Sequence, residues 1–269
     1  MTTGRRNYRN KRGEKLKGVT TILGVLGKPA LIGWGYNQGL ENYDRLAQLV
    51  VGILNAEKPV RPGRKLALLD KEVRGFRVSP LYDKRDKAAD AGTLAHLMVE
   101  KYLLGQPPIN LAEYLHANRP PDLDREDLAN WKDDVRWKAE GCYSTFKSWA
   151  EGHKFQVVCV EEELVSEEWQ YGGTIDLGAV IGQTDAGITM SDLKTSKGIY
   201  LTHKIQLAAY GKLWSENHPD MPVVKYQILA PHPNGHMQQE SWNDLSHELA
   251  IFKACLEIDK HLTATGQKL

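Results

Sequence analysis

Apolar positions along the first half of the chain recur at helical spacing, and from about residue 154 they switch to strand-like alternation. The run "GVTTILGVLGKPALIGWGYNQGLENYDRLAQLVVGIL" predicts a short β-type run, a turn at Gly27–Pro29 and a helix to about Leu54. Pro59, Pro62 and Gly63 mark a loop, and a second helix is expected from Arg64 to Phe76. Ser79-Pro80 opens a long helix through "DKRDKAADAGTLAHLMVEKYLLG", stopped by Gly105 and Pro107-Pro108. Another is expected over Arg125–Glu151, with Trp131, Val135, Cys142, Phe146 and Trp149 along one side.

The second half reads differently. "FQVVCVEEELVS", "GGTIDLGAVIG" and "GITMSDLKTS" are rich in β-branched residues and separated by turn residues, as in a three-strand meander. Thr202 can cap a helix "HKIQLAAYGKLWSENH" closed by Pro219. "VVKYQILAPH" and "GHMQQESW" follow as a hairpin, and a last helix runs from about Asp244 to Leu262. This order predicts an α/β (α+β) chain in which helices pack on a central mixed sheet.

Composition changes this picture little. With 269 residues, 41% hydrophobic and 26% charged, the chain is long enough for one large core. No apolar run of about 18 residues is present and the start is polar and basic, so a cytoplasmic protein without a membrane contact is expected. Cys142, Cys159 and Cys255 are widely spaced without a Cys-x-x-Cys pair, which argues against a disulfide framework, a zinc site or an iron–sulfur cluster. The net charge of +1 suggests no particular partner, but its distribution does. Arg5, Arg6, Arg9, Lys11, Arg12, Lys15 and Lys17 stand against Glu14 alone, the composition either of a phosphate-binding arm or of a solvated tail.

Candidate chemistry centres on "YGGTIDLGAVIGQTDAGITMSDLKTSK". Alternation sets Asp176 on the face opposite Ile175 and Leu177, while Asp192 and Lys194, two apart, share a face. If these faces coincide, two carboxylates and an ammonium meet at one point. Buried carboxylates raise one another's pKa unless a positive charge sits between them, and a hard divalent cation such as Mg2+ or Mn2+ resolves that conflict. A surface hairpin with an ordinary Asp–Lys ion pair has the same pattern. On the long helix, His96 and Glu100 share a face with Gly92, where a close approach to the sheet is possible. Gln206 and Tyr210, also four apart, can point back toward the end of the Asp192 strand.

Gly92-x-x-x-His96, Gly173-x-x-Asp176, Asp192-Leu193-Lys194-Thr195 and Gln206-x-x-x-Tyr210, with an upstream strand acid such as Glu161, resemble in order and type the PD-(D/E)xK nuclease superfamily. The branch they resemble is that of RecB-type domains and small phage recombination exonucleases, which suggests a phage or bacterial origin. The resemblance implies a restriction-endonuclease-like core over 92–269 with a helical insertion at about 107–152, preceded by a basic arm (1–17) and a helical region (18–91). It implies one or two Mg2+ or Mn2+ ions held by His96, Asp176, Asp192 and the Leu193 carbonyl, with Glu100 and Glu161 as accessory acids. Lys194 would then act with Asp176 and Asp192 in catalysis, and Gln206, Tyr210 and Thr195 would support the site and touch DNA. Relatives that carry a four-cysteine iron–sulfur cluster differ from this chain, which lacks those cysteines.

Arg5, Arg6, Arg9 and Arg12 are expected on the DNA backbone, and Trp169 with Tyr171 as an exposed pair for base stacking. The function expected is a metal-dependent DNA nuclease, an exonuclease acting on single- or double-stranded ends in recombination, repair or replication. A recombination or single-strand-binding protein is the partner such a role invites. The alternatives are a sequence-nonspecific endonuclease, an RNase, or a DNA-binding protein that keeps the fold without turnover.

Overall fold

The structure, a computed structural model, describes residues 6–27, 48, 80–120, 125–181 and 187–267. By internal contacts the chain divides into two compact units, one of Met1–Gly27 with Ala91–Leu269 and one of Lys28–Asp90. The helices expected up to Leu54 and over Arg64–Phe76 lie outside the described residues. Everything below concerns the first unit.

Its centre is a five-stranded sheet in the order β1 (Phe155–Ser166), β2 (Tyr171–Ile181), β3 (Ile188–Leu193), β4 (Val223–Pro231), β5 (Met237–Trp242). All neighbours are antiparallel except β3 and β4. That single parallel pair requires a crossover, and helix α5 (Leu201–Asn217) supplies it. The first three strands form the meander expected from their turn residues, and the sheet is mixed as the element order predicted.

Two apolar layers cover the sheet. On one face, α5 and α6 (Ser246–Thr265) bury Leu207, Leu213, Trp214 and Phe252 against Ile175, Ile188, Met190 and Ile228. On the other face, Val99 of α2 (Pro80–Leu103) and Phe146 of α4 (Arg125–Glu151) pack on Leu177, Ala179, Leu193 and Leu229. A third cluster joins α2 and α4 to the short α3 (Leu111–Ala117), which the apolar pattern did not announce. Asn110 caps α3 by accepting from the Glu113 N–H.

Three local expectations change. The run Val19–Ile22 is helix α1, continued as a 3-10 turn over Leu23–Leu26, where β-branched residues suggested a strand. Val19 and Ile22 are buried in the α5/α6 layer, so packing overrides propensity there. Helix α5 starts after Tyr200, whose N–H donates to His203 Nδ1 at 3.2 Å, so Thr202 is not the cap. Strict alternation also fails at Asp176: Ile175 joins the α5/α6 layer while Leu177 joins the α2/α4 layer.

Candidate metal centre

The site lies where β1, β2, β3 and α2 converge. Glu161 falls between the paired positions Val160↔Leu177 and Glu162↔Ile175, which sets it across from Asp176. One step beyond the pair Leu177↔Ser191, Asp176 meets Asp192. The ladder therefore draws one acid from each of three adjacent strands into a single row. Above the row, His96 of α2 places Nδ1 3.7 Å from Asp176 Oδ2 and 4.0 Å from Glu161 Oε1. His96, Glu161 and Asp176 each offer one ligand atom within 4.8 Å of the others, and they form the one such trio among the described residues.

Backbone chemistry holds each group. Asp176 Oδ2 accepts the Leu193 N–H at 2.8 Å, which ties β2 to the end of β3. The Lys194 N–H donates to the Leu229 carbonyl, so the lysine leaves the sheet in a fixed direction. Its ammonium returns to Asp192, 2.9 Å from Oδ1 and 2.7 Å from Oδ2. Glu161 adopts a φ of +50°, a left-handed conformation that costs a non-glycine residue about 1–3 kcal/mol. Such strain marks a side chain aimed by its surroundings rather than by its own preference.

Asp192 is fully buried, and its Oδ2 makes no hydrogen bond but lies 2.7 Å from the Lys194 ammonium. A buried carboxylate is expensive unless a cation pairs with it, and the Lys194 ammonium does so here. Burial raises the Asp192 carboxyl to about 6, opposed by Lys194 and reinforced by Asp176. Burial likewise raises Glu161 to about 7, with Asp176 pushing the same way and Arg6 opposing. Asp176 is raised by burial against the pull of Lys194 and the Leu193 N–H. His96 is lowered to about 4 by burial and then by Lys194, so near neutral pH it is an uncharged imidazole with a lone pair to give. Two mutually repelling acids, Glu161 and Asp176, and a neutral histidine are a donor set for a hard divalent cation, with Asp192 and Lys194 paired beside them. The residues present fit such an ion.

Around this cluster the remaining sequence candidates divide. Gly92 lets α2 approach the sheet as expected: a Cβ there would meet Thr195 Oγ1 at 2.8 Å. Glu100 lines the same cavity as His96, Glu161 and Asp176. Gln206 Nε2 donates to the Tyr210 hydroxyl at 2.6 Å, and both are buried beneath the site, so neither offers surface to a nucleic-acid strand. Tyr210 packs on Gly173, where a Cβ would lie 2.7 Å from its ring.

The expected exposed pair Trp169–Tyr171 is overturned. Tyr171 is fully buried with its hydroxyl on the Ala209 carbonyl, and Trp169 is partly buried with Lys212 and Lys253 over its ring. Trp137, in contrast, is 64% exposed.

The basic segment from Arg6 is neither a free arm nor a solvated tail. Asn10 organises a turn through Gly13 and Glu14, Arg9 and Lys15 form an antiparallel bridge, and Gly18 bridges Gly172 of β2. Arg12 pairs with Glu14, Lys17 with Asp259 of α6, and the Arg9 guanidinium donates to the Gly13 carbonyl. Arg6 pairs with Glu161 itself. Arg5 lies outside the described residues.

Comparison with known proteins bears on this arrangement. A family model described as the PD-(D/E)XK nuclease superfamily matches residues 71–258, well over half of the chain. No curated protein matches. A solved structure of a protein from Eubacterium rectale, named as a candidate exonuclease, is 14% identical with a TM-score of 0.41, covering 66% of this chain and 69% of its own. A second, SSO0001, is 17% identical with a TM-score of 0.28, covering 67% of this chain and 75% of its own.

Proposed function

The chain belongs to the PD-(D/E)XK nuclease superfamily, and from that premise we propose that it is a divalent-metal-dependent deoxyribonuclease that hydrolyses phosphodiester bonds at DNA ends. The observation that carries the metal dependence is the trio His96, Glu161 and Asp176, whose ligand atoms all lie within 4.8 Å of one another. His96, Glu161, Asp176, Asp192 and the Leu193 carbonyl are the residues that would hold the ion. When bound, Mg2+ or Mn2+ polarises a phosphoryl oxygen and lowers the pKa of an attacking water.

The chain's own groups do the rest. Lys194 stands on Asp192 with its side chain 18% exposed, so its charge is held in place beside the acids. It faces the negative charge that grows on the phosphate as the water attacks, and it orients that water by hydrogen bonding. Asp192 holds the lysine in place. Gln206 and Tyr210 brace the floor beneath Asp192 and Asp176, a positioning role in keeping with their burial. Nothing in the metal cluster reads a base, so cutting is sequence-nonspecific. The preference for ends rests on the motif resemblance to the RecB-type branch, which also suggests a role in recombination or repair.

The test is digestion of linear and covalently closed circular DNA, single- and double-stranded, with Mg2+, Mn2+ or EDTA, beside Lys194→Ala. Metal-dependent loss of linear DNA alone, absent in the variant, is the expected result. Cutting of circles would replace the end-directed reading with an endonuclease, and DNA binding without cleavage would overturn the enzyme reading.

A further inference from the structure

The basic N-terminal segment reaches the site at Arg6. Arg6 Nη2 donates to Glu161 Oε2, and Arg6 Nε lies 4.0 Å from Glu163 Oε1. The other oxygen of Glu161 faces His96 Nδ1. One carboxylate thus divides its two oxygens between two positions, one inside the His96–Glu161–Asp176 trio and one already taken by a guanidinium. We infer that Arg6 is a built-in cation occupying the second charge position of this centre, so that the site takes one divalent ion rather than two. The inference rests on the nuclease reading above and deepens it.

The placement of Arg6 is built into the fold. Two residues on, the Tyr8 hydroxyl hydrogen-bonds Thr174 Oγ1 at 2.9 Å, two positions before Asp176 on the same strand. The Tyr8 ring lies over Gly172, where a Cβ would sit 2.2 Å from it, a contact only glycine permits. Gly18 is nearly as close, its Cβ position 3.0 Å from the same ring. The Tyr8 carbonyl accepts the Leu16 N–H, the Lys17 carbonyl accepts the Gly172 N–H, and Lys17 clamps onto Asp259 and Thr263 of α6. The hairpin is therefore anchored at its far end, at its middle and on β2, and Arg6 follows from that anchorage.

Electrostatics give the arrangement its consequence. A second divalent ion at Glu161 would have to displace a guanidinium that already supplies positive charge there, or share the carboxylate at like-charge cost. A guanidinium has five N–H donors, and the Arg6 side chain is 45% exposed, so donors not engaged by the acids remain open to a phosphate oxygen. The arginine can thus complement the phosphate without leaving Glu161.

The deciding experiment is a Mn2+ titration of the full metal-free chain, followed by calorimetry and by the electron paramagnetic resonance signal of free Mn2+, at neutral pH. Wild type is expected to bind one ion per chain, Arg6→Lys one, and both Arg6→Ala and Arg6→Gln two. The glutamine variant retains hydrogen-bonding ability without the charge, so its agreement with alanine identifies the charge as the determinant. Two ions on wild type, or one ion on both neutral variants, would overturn the inference while leaving the metal centre standing. No ion on wild type would instead remove the metal-centre reading, and this inference with it. A thermal melt of each variant accompanies the titration, so a second site gained on an intact fold is not confused with ions gathered by an unfolded chain.

Discussion

The two faces of the sheet are built from the same strands and do different work. Under α5 and α6, Ile175, Ile188, Met190 and Ile228 meet Leu207, Leu213, Trp214 and Phe252 in a closed apolar layer. Under α2 and α4, a smaller layer around Leu177, Leu193, Phe146 and Leu229 borders the cavity that holds His96, Glu161 and Asp176. The first layer repays the cost of ordering the chain through buried apolar area, and the second forgoes part of that gain to hold repelling acids together. Stability and chemistry are thus separated by the thickness of one sheet, and substitutions on the two faces should have opposite signatures.

The sharpest contrast comes from Asp176→Asn. It should abolish metal binding and metal-dependent cleavage, yet raise the stability of the metal-free chain by about 1 kcal/mol, because a buried like-charge conflict is relieved while an oxygen remains for the Leu193 N–H. Urea unfolding beside a Mn2+ titration checks both halves, and a variant less stable than wild type breaks the contrast. Lys194→Ala should cost roughly 10²–10³ in turnover with DNA affinity retained, read as kcat against KM.

On the opposite face, Phe252→Ala removes a fully buried ring and should cost about 3–5 kcal/mol, with cleavage per folded molecule unchanged when assayed well below the melting temperature. Gly173→Ala tests the seam between the faces. Its Cβ would lie 2.7 Å from Tyr210 and from Leu213, so a loss of about 1–3 kcal/mol is expected, with reduced turnover because Tyr210 shifts beneath the acids.

The mildest effect is that of pH on metal affinity. Asp192, raised to about 6, and Glu161, raised to about 7, hold protons below those values and must release them to ligate, so affinity should climb from pH 5 to pH 8. His96, lowered to about 4, is neutral over that range and adds no slope. A flat affinity profile between pH 5 and pH 8 would remove the raised carboxyls from the ligand set.

How much of this was legible beforehand depended on the range of the signal. The helices over Pro80–Leu103 and Arg125–Glu151 and the meander announced themselves through period and turn chemistry, which are local. Asp176, Asp192 and Lys194 stood out because charged residues interrupt apolar strands. Glu161 came in through the motif resemblance alone, since it sits in a run of three glutamates and only strand register tells which of them faces Asp176. Tyr171 reads as exposed because its neighbours in the chain are polar, whereas the packing of Phe252 and the Ala209 carbonyl buries it.

By itself, then, the sequence determined the elements, the mixed α/β character and the identity of most of the acids, because periodicity and local charge act over a few residues. Only the tertiary structure decided which oxygens converge. It set Glu161 rather than Glu162 or Glu163 across from Asp176, split Ile175 from Leu177 at the site, and brought Arg6 across 155 positions of sequence onto Glu161. Those outcomes depend on register and on the docking of Tyr8 over Gly172, and each is a contact between segments with no trace in either segment alone.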